Sequence, residues 1–107
     1  MSDTNTLMRL AALIRSRRGD SVAKSYTAQL LAAGTERCAK KFGEEAVETV
    51  IAAMGDDAAA LKNEAADTLY HLLVLLESRE VAFDDVLKVL DARMGMSGLA
   101  EKASRSR

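Results

Sequence analysis

Proline and tryptophan are both absent from this 107-residue chain, cysteine occurs once, and aromatic side chains make up only 4% of it. Without proline the chain carries no obligatory helix breaker, and a β-rich fold would lack one of its usual turn residues. An all-α fold is the expectation. With so few aromatics, the core has to be built from Leu, Val, Ile, Ala and Met within a hydrophobic fraction of 49%. The one thiol, Cys38, has no partner for an internal disulfide, which suits a reducing cytoplasm. No nucleophile signature surrounds it, and it reads as a small packing residue. A net charge of −1 leaves no bulk positive potential for nucleic acid, and only the stretch holding Lys102, Arg105 and Arg107 is locally basic. The longest apolar run, residues 69–76, is interrupted by His71 and falls far short of a membrane span. Residues 1–6 lack the basic-then-apolar pattern of a signal peptide. A cytoplasmic protein with no membrane and no nucleic-acid partner is expected, folded as a single domain over residues 1–107. A domain of this size buries roughly 65% of its unfolded surface.

Helical periodicity runs through most of the chain. Leu7, Leu10, Ala11 and Ile14 fall at i, i+3, i+4 and i+7, predicting a first amphipathic helix that fades into Arg15, Arg17, Arg18 and Gly19. A short second helix over residues 25–33 is closed by Gly34. Thr35 is placed as the cap of a long helix over residues 36–54, stopped by Gly55, and Asp56 or Asp57 as the cap of the next, which reaches about residue 79. Asp84 is placed as the cap of a last helix ending near Met94, with Phe83 and Leu87 as a hydrophobic staple. Residues 69–76 invite a strand assignment, yet Leu61, Ala65, Leu69, Leu72 and Leu76 carry the helical period through them. The apolar residues of that helix point nearly all round, so it needs cover on several sides. Four to five helices of one small chain supply little of that cover, and a helical bundle completed by homodimerisation is expected. No internal repeat, low-complexity stretch or long linker is present.

Two acidic pairs lie on consecutive predicted helices, Glu45-x-x-Glu48 and Glu64-x-x-Asp67. Residues three apart on a helix share a face, with Cβ atoms about 5–6 Å apart. An antiparallel hairpin turning at Gly55 and Asp56 sets the two pairs at similar heights, so four carboxylates can converge on one groove. Clustered acids repel, and each raises its neighbours' pKa. A bound Mg²⁺ turns that repulsion into coordination and leaves room for waters and substrate phosphates. The alternative is ordinary solvated charge, the reading given to Glu77-x-x-Glu80 at a helix end. Two features favour the metal reading: Glu64 and Asp67 lead into the most apolar run, and Lys40 and Lys41 stand just before Glu45, where a polyphosphate would need cations. His71 follows Asp67 by four residues. It can be a metal ligand, a proton-transfer group or a core histidine hydrogen-bonded to Asp67, and the last is preferred because a buried polar group needs a partner. Tyr70 is expected at a helix interface with its hydroxyl at the rim, and the methionines as gap fillers.

Lys41-Phe-Gly-Glu-Glu45-Ala-Val-Glu48, followed by Glu64-Ala-Ala-Asp67-Thr-Leu-Tyr-His71-Leu-Leu, resembles the phosphoribosyl-ATP pyrophosphatases of histidine biosynthesis, a family within the all-α NTP pyrophosphohydrolases. Ser25-Tyr-Thr-Ala-Gln-Leu-Leu-Ala-Ala-Gly34 and Arg93-Met-Gly-Met-Ser97-Gly-Leu-Ala-Glu101-Lys102-Ala are similar to that family's flanking segments, so the likeness spans residues 7–105. It implies hydrolysis of phosphoribosyl-ATP to phosphoribosyl-AMP and pyrophosphate, the second step of histidine synthesis, with Mg²⁺ dependence and a helical dimer. On that footing Glu45, Glu48, Glu64 and Asp67 hold Mg²⁺, and Glu44 or one of these four takes the proton from the attacking water. Lys40, Lys41, Arg93, Ser97 and Lys102 are candidate phosphate contacts. Taken singly, each cation is as readily a solvated surface charge, and Ser97 with Glu101 as readily a helix stop and cap. A housecleaning pyrophosphatase of the same superfamily, acting on dCTP, dUTP or damaged nucleotides, shares the four acids but needs neither the Tyr26 segment nor residues 97–102. A non-enzymatic helical dimerisation module needs none of them.

Overall fold

The computed structural model describes residues 3–95 and contains five α-helices among them: α1 (Asp3–Ser16), α2 (Tyr26–Ala33), α3 (Thr35–Ala53), α4 (Ala58–Ser78) and α5 (Phe83–Met94). No strand occurs among the described residues, and residues 69–76 lie wholly within α4. No described helix is long and apolar enough to cross a membrane.

The helix boundaries follow from local chemistry. Ser25 caps α2 by accepting a hydrogen bond from the Ala28 N–H at 3.0 Å, which satisfies one of the donors a helix start leaves free. Asp57, rather than Asp56, does the same for α4 by accepting from the amides of Ala59 and Ala60. Between α2 and α3 the chain turns on a single residue, Gly34, whose φ of 100° lies where side-chain-bearing residues are disfavoured. Its N–H reaches the carbonyls of Leu30 and Leu31, so it ends one helix and begins the next.

Two expected caps are therefore corrected. Thr35 is the first residue of α3, not its cap, because Gly34 already occupies the junction; its hydroxyl instead meets Ser78 Oγ across the bundle at 3.1 Å. Asp84 lies in the first turn of α5, whose cap position is Ala82 with no side-chain bond. Asp84 and Asp85 there favour the positive end of the helix dipole. Phe83, expected outside the helix as half of a staple, is its first residue and packs onto the core.

α3 and α4 form the most extensive helix pair, and α1 and α2 cover one side of it. Thr35 meets Ser78 and Thr49 meets Thr68, so α3 and α4 run antiparallel. The core is small: Ile14, Leu30, Cys38, Leu73 and Val74 are buried together, with Leu7, Leu10, Leu31, Tyr70, Leu76 and Phe83 packed around them. Cys38 is within this cluster, its thiol directed at the Leu30 carbonyl at 3.3 Å. Burial pushes that thiol's pKa up, which keeps it protonated and inert. α5 packs chiefly along α1 and has no buried residue.

A candidate metal centre on the α3–α4 hairpin

The antiparallel pairing of α3 and α4 carries acids from both helices to one place. One carboxylate oxygen from each of Glu45, Glu48 and Glu64 lies within 4.8 Å of the others. Glu45 and Glu48 share a face of α3 because they are three residues apart; Glu64 reaches them from α4 across the helix seam. Asp67 stands outside this trio, one turn further along α4 and exposed. It is still near enough for its negative charge to act on Glu64.

Glu64 is the most perturbed member. Loss of water contact raises its pKa first, and the charges of Glu48, Glu45 and Asp67 push it further in the same direction. Its Oε1 is buried and has no hydrogen-bond partner among the described residues. A buried carboxylate oxygen without a donor is costly, and a group of clustered carboxylates more so. Both costs are relieved by one hard cation, for which carboxylate oxygens are suitable donors. The donor set and the orphaned oxygen thus fit a divalent metal ion of the Mg²⁺ type.

The other sites named from sequence are distributed around this cluster. Glu44 is exposed and 3.4 Å from Lys41 Nζ, an i,i+3 pair on the surface of α3. Lys41 is half-buried, and Lys40 beside it is exposed. Arg93 is exposed in the last turn of α5, a helix that packs chiefly along α1 rather than α3. Ser97 and Lys102 lie outside the described residues.

His71 is a core histidine, 6% exposed, but the expected hydrogen bond to Asp67 is not made: its Nδ1 has no partner. The ring packs edge-on against Tyr70, with ring centres 4.9 Å apart, and against Tyr26 at 6.2 Å. Asp67 and His71 share a face of α4, but the imidazole is turned into the core against Tyr26 and Tyr70 while the Asp67 side chain is exposed to solvent. Burial holds the imidazole below its usual pKa, and the nearby charge of Glu45 opposes that only in part. The Tyr70 hydroxyl, expected at a rim, is hydrogen-bonded to Thr27 on α2.

Sequence reasoning passed over a pair of threonines beside the acids. Thr49 Oγ1 and Thr68 Oγ1 are 2.7 Å apart across the α3–α4 seam, and each is 3.0 Å from the Glu45 carbonyl oxygen. The available signal was two β-branched hydroxyl residues set inside long helices, each adjacent in sequence to an acid of interest.

The chain as a whole matches a known family. A family model described as phosphoribosyl-ATP pyrophosphohydrolase matches residues 7–94. The chain is 57% identical over 99 residues to the phosphoribosyl-ATP pyrophosphatase of Rhodobacter capsulatus, covering 92% of this chain and 96% of that one. It is 58% identical over 99 residues to the protein of the same name from Paracoccus denitrificans, with 92% of each chain covered. With that of Dinoroseobacter shibae the identity is 55% over 101 residues, 94% of this chain and 99% of the other. A match this long, at this identity and over the acid-bearing helices themselves, means that the chain belongs to the phosphoribosyl-ATP pyrophosphohydrolase family.

Proposed function

We propose that this protein hydrolyses phosphoribosyl-ATP to phosphoribosyl-AMP and pyrophosphate, in the cytoplasm and as the second step of histidine synthesis, with Mg²⁺ held by Glu45, Glu48, Glu64 and Asp67. The observation that carries the reading is the Glu45–Glu48–Glu64 cluster with its buried, partnerless Glu64 oxygen, in a chain of this family. Bound there, the ion would supply Lewis acidity toward phosphoryl oxygens and a water of lowered pKa.

The chain's own residues supply the rest. Glu45, Glu48 and Glu64 present the converging oxygens, and exposed Asp67, whose charge reaches Glu64, would add a fourth carboxylate. The cleaved bond lies between the α and β phosphates, and the proton of the attacking water passes to a carboxylate oxygen of Glu44 or of the cluster. Lys40 and Lys41, one turn before the acids, offset negative charge on the phosphate chain. Arg93, Ser97 and Lys102 are assigned to further phosphate contacts on the strength of the family likeness.

The same reading includes a homodimer. Val47, Val50, Ile51 and Met54 recur at i, i+3, i+4 and i+7 along α3 and are 58%, 61%, 65% and 80% exposed. An apolar helical stripe of this kind is the sort of surface that homodimers bury.

The direct test is incubation with phosphoribosyl-ATP, with and without Mg²⁺, followed by chromatography of the nucleotide products beside a panel of dNTPs. Magnesium-dependent release of phosphoribosyl-AMP and pyrophosphate is expected. Preference for dCTP or dUTP would move the protein to nucleotide housecleaning, and no turnover of any of them would refute the reading.

A further inference from the structure

The Thr49–Thr68 contact has more bonding than a chance meeting of two surface hydroxyls. Both side chains are half-buried in the seam between α3 and α4. Three oxygens, Thr49 Oγ1, Thr68 Oγ1 and the Glu45 carbonyl, form a closed triangle with sides of 2.7, 3.0 and 3.0 Å. The two hydroxyls have two protons between them. One donates to the Glu45 carbonyl, and the other donates either to that carbonyl or to its partner hydroxyl. Thr49 is bonded within its own helix, four residues after Glu45, whereas Thr68 reaches the same carbonyl from the opposing helix. The backbone that bears one carboxylate is thereby tied to α4 at the residue next to Asp67 and one turn past Glu64.

The surroundings explain why such a tie matters. The half-buried residues that neighbour it in sequence on the two helices, such as Ala46, Ala52, Leu61 and Ala65, are small or apolar, and their packing is not directional as a hydrogen bond is. Hydrogen bonds weaken steeply with distance and angle. Metal ligands are in turn sensitive to the groups that orient them, and loss of such a group typically weakens binding about 10–100-fold.

We propose that Thr49 and Thr68 are positioning residues that set the axial register of α3 on α4, so that Glu45 and Glu48 meet Glu64 in a geometry matched to a divalent cation. This rests on the metal-binding reading of the carboxylate cluster. A second hydroxyl contact in the same helix pair, Thr35 with Ser78 at 3.1 Å, lies at the far end of the hairpin and serves as the internal control. It joins the same two helices without touching an acid of the cluster.

The test is calorimetric titration of the full chain with Mg²⁺ alone, paired with thermal melting in the absence of metal. Thr68→Val removes the hydroxyl at nearly constant shape and is expected to weaken Mg²⁺ binding about tenfold. Thr68→Ser restores the hydroxyl and keeps wild-type affinity. Thr35→Val lowers the melting temperature as Thr68→Val does, yet leaves Mg²⁺ affinity unchanged. Wild-type affinity in Thr68→Val, or equal weakening in Thr35→Val, overturns the proposal, since the effect would then be absent or a general loosening of the hairpin. Should circular dichroism show that Thr68→Val does not fold, Thr49→Val against Thr49→Ser decides the same question by the same criteria. A wild-type protein that binds no Mg²⁺ sinks the metal reading and this inference with it, whereas wild-type binding with an unaffected Thr68→Val sinks this inference alone.

Discussion

The two ends of the α3–α4 hairpin are made of opposite materials. At one end Cys38, Leu73 and Val74 are buried against Ile14 and Leu30, and Thr35 closes the contact on Ser78. Towards the other end, Glu45, Glu48 and Glu64 crowd together, Asp67 is exposed, and the outer side of α3 shows bare Val50, Ile51 and Met54. One end gains free energy from apolar burial. The other contains like charges and an unpartnered buried oxygen, which disfavour the folded chain on its own. An enzyme of this size can tolerate a destabilised region because the apolar end holds the helices together. The cost remains at the site, where a cation can relieve it.

That contrast can be broken most severely at the acids. Glu48→Ala or Asp67→Ala is expected to lower turnover of phosphoribosyl-ATP by ~10³-fold or more, since a metal contributes several kcal/mol of transition-state stabilisation. Circular dichroism and sedimentation should find both variants folded and unchanged in assembly; near-normal rates would refute the ligand assignment.

At the apolar end the opposite loss is expected. Leu73 is 3% exposed, and Leu73→Ala should cost about 2–5 kcal/mol in urea unfolding. Any protein that remains folded should bind Mg²⁺ as before.

Glu64→Gln sharpens the comparison by giving the two properties opposite signs. A carboxyl whose folded pKa is raised contributes stability below its unfolded pKa and loses it as pH rises through the folded value. Once ionised, the metal-free Glu64 therefore destabilises, and at a pH above its raised pKa the glutamine variant should melt higher than the metal-free wild type. It should also lose the rise in melting temperature that Mg²⁺ gives the wild type. By the same sign, Mg²⁺ affinity of the wild type should fall on acidification as Glu64 takes up a proton, beginning above the usual carboxylate range.

Ile51→Glu addresses the bare face of α3. If a second chain covers that stripe, analytical ultracentrifugation should find the variant shifted towards monomer. The smallest effect is expected where α4 ends. Glu80 has a φ of 57°, a left-handed conformation that glycine adopts without strain, so Glu80→Gly should raise stability by about 0.5–1 kcal/mol in a thermal or urea melt.

Much of this was legible in the sequence for reasons that can be traced residue by residue. The absence of proline and the spacing of Leu61, Ala65, Leu69, Leu72 and Leu76 led to a helix through a run that could have been a strand. Gly34 and Asp57 marked helix ends because left-handed backbone and amide capping are properties of single residues. The two acidic pairs were visible for a similar reason, since a three-residue spacing means one helix face wherever the helix goes. Thr35 and Asp84 misled because several residues near a helix start can cap it, and the one that does so depends on where the preceding element stops.

What composition and local spacing determined, then, was four short-range facts strung together: helices, their approximate ends, their apolar sides and the acids they carry. Only the tertiary structure decided which side chains meet. It drew Glu64 into the company of Glu45 and Glu48 while leaving Asp67 outside, turned His71 towards two tyrosines rather than to Asp67, and set Thr49 against Thr68. These outcomes depend on the rotation and axial register of one helix on another. Register comes from how the α3–α4 seam packs as a whole, and no single window of residues contains it.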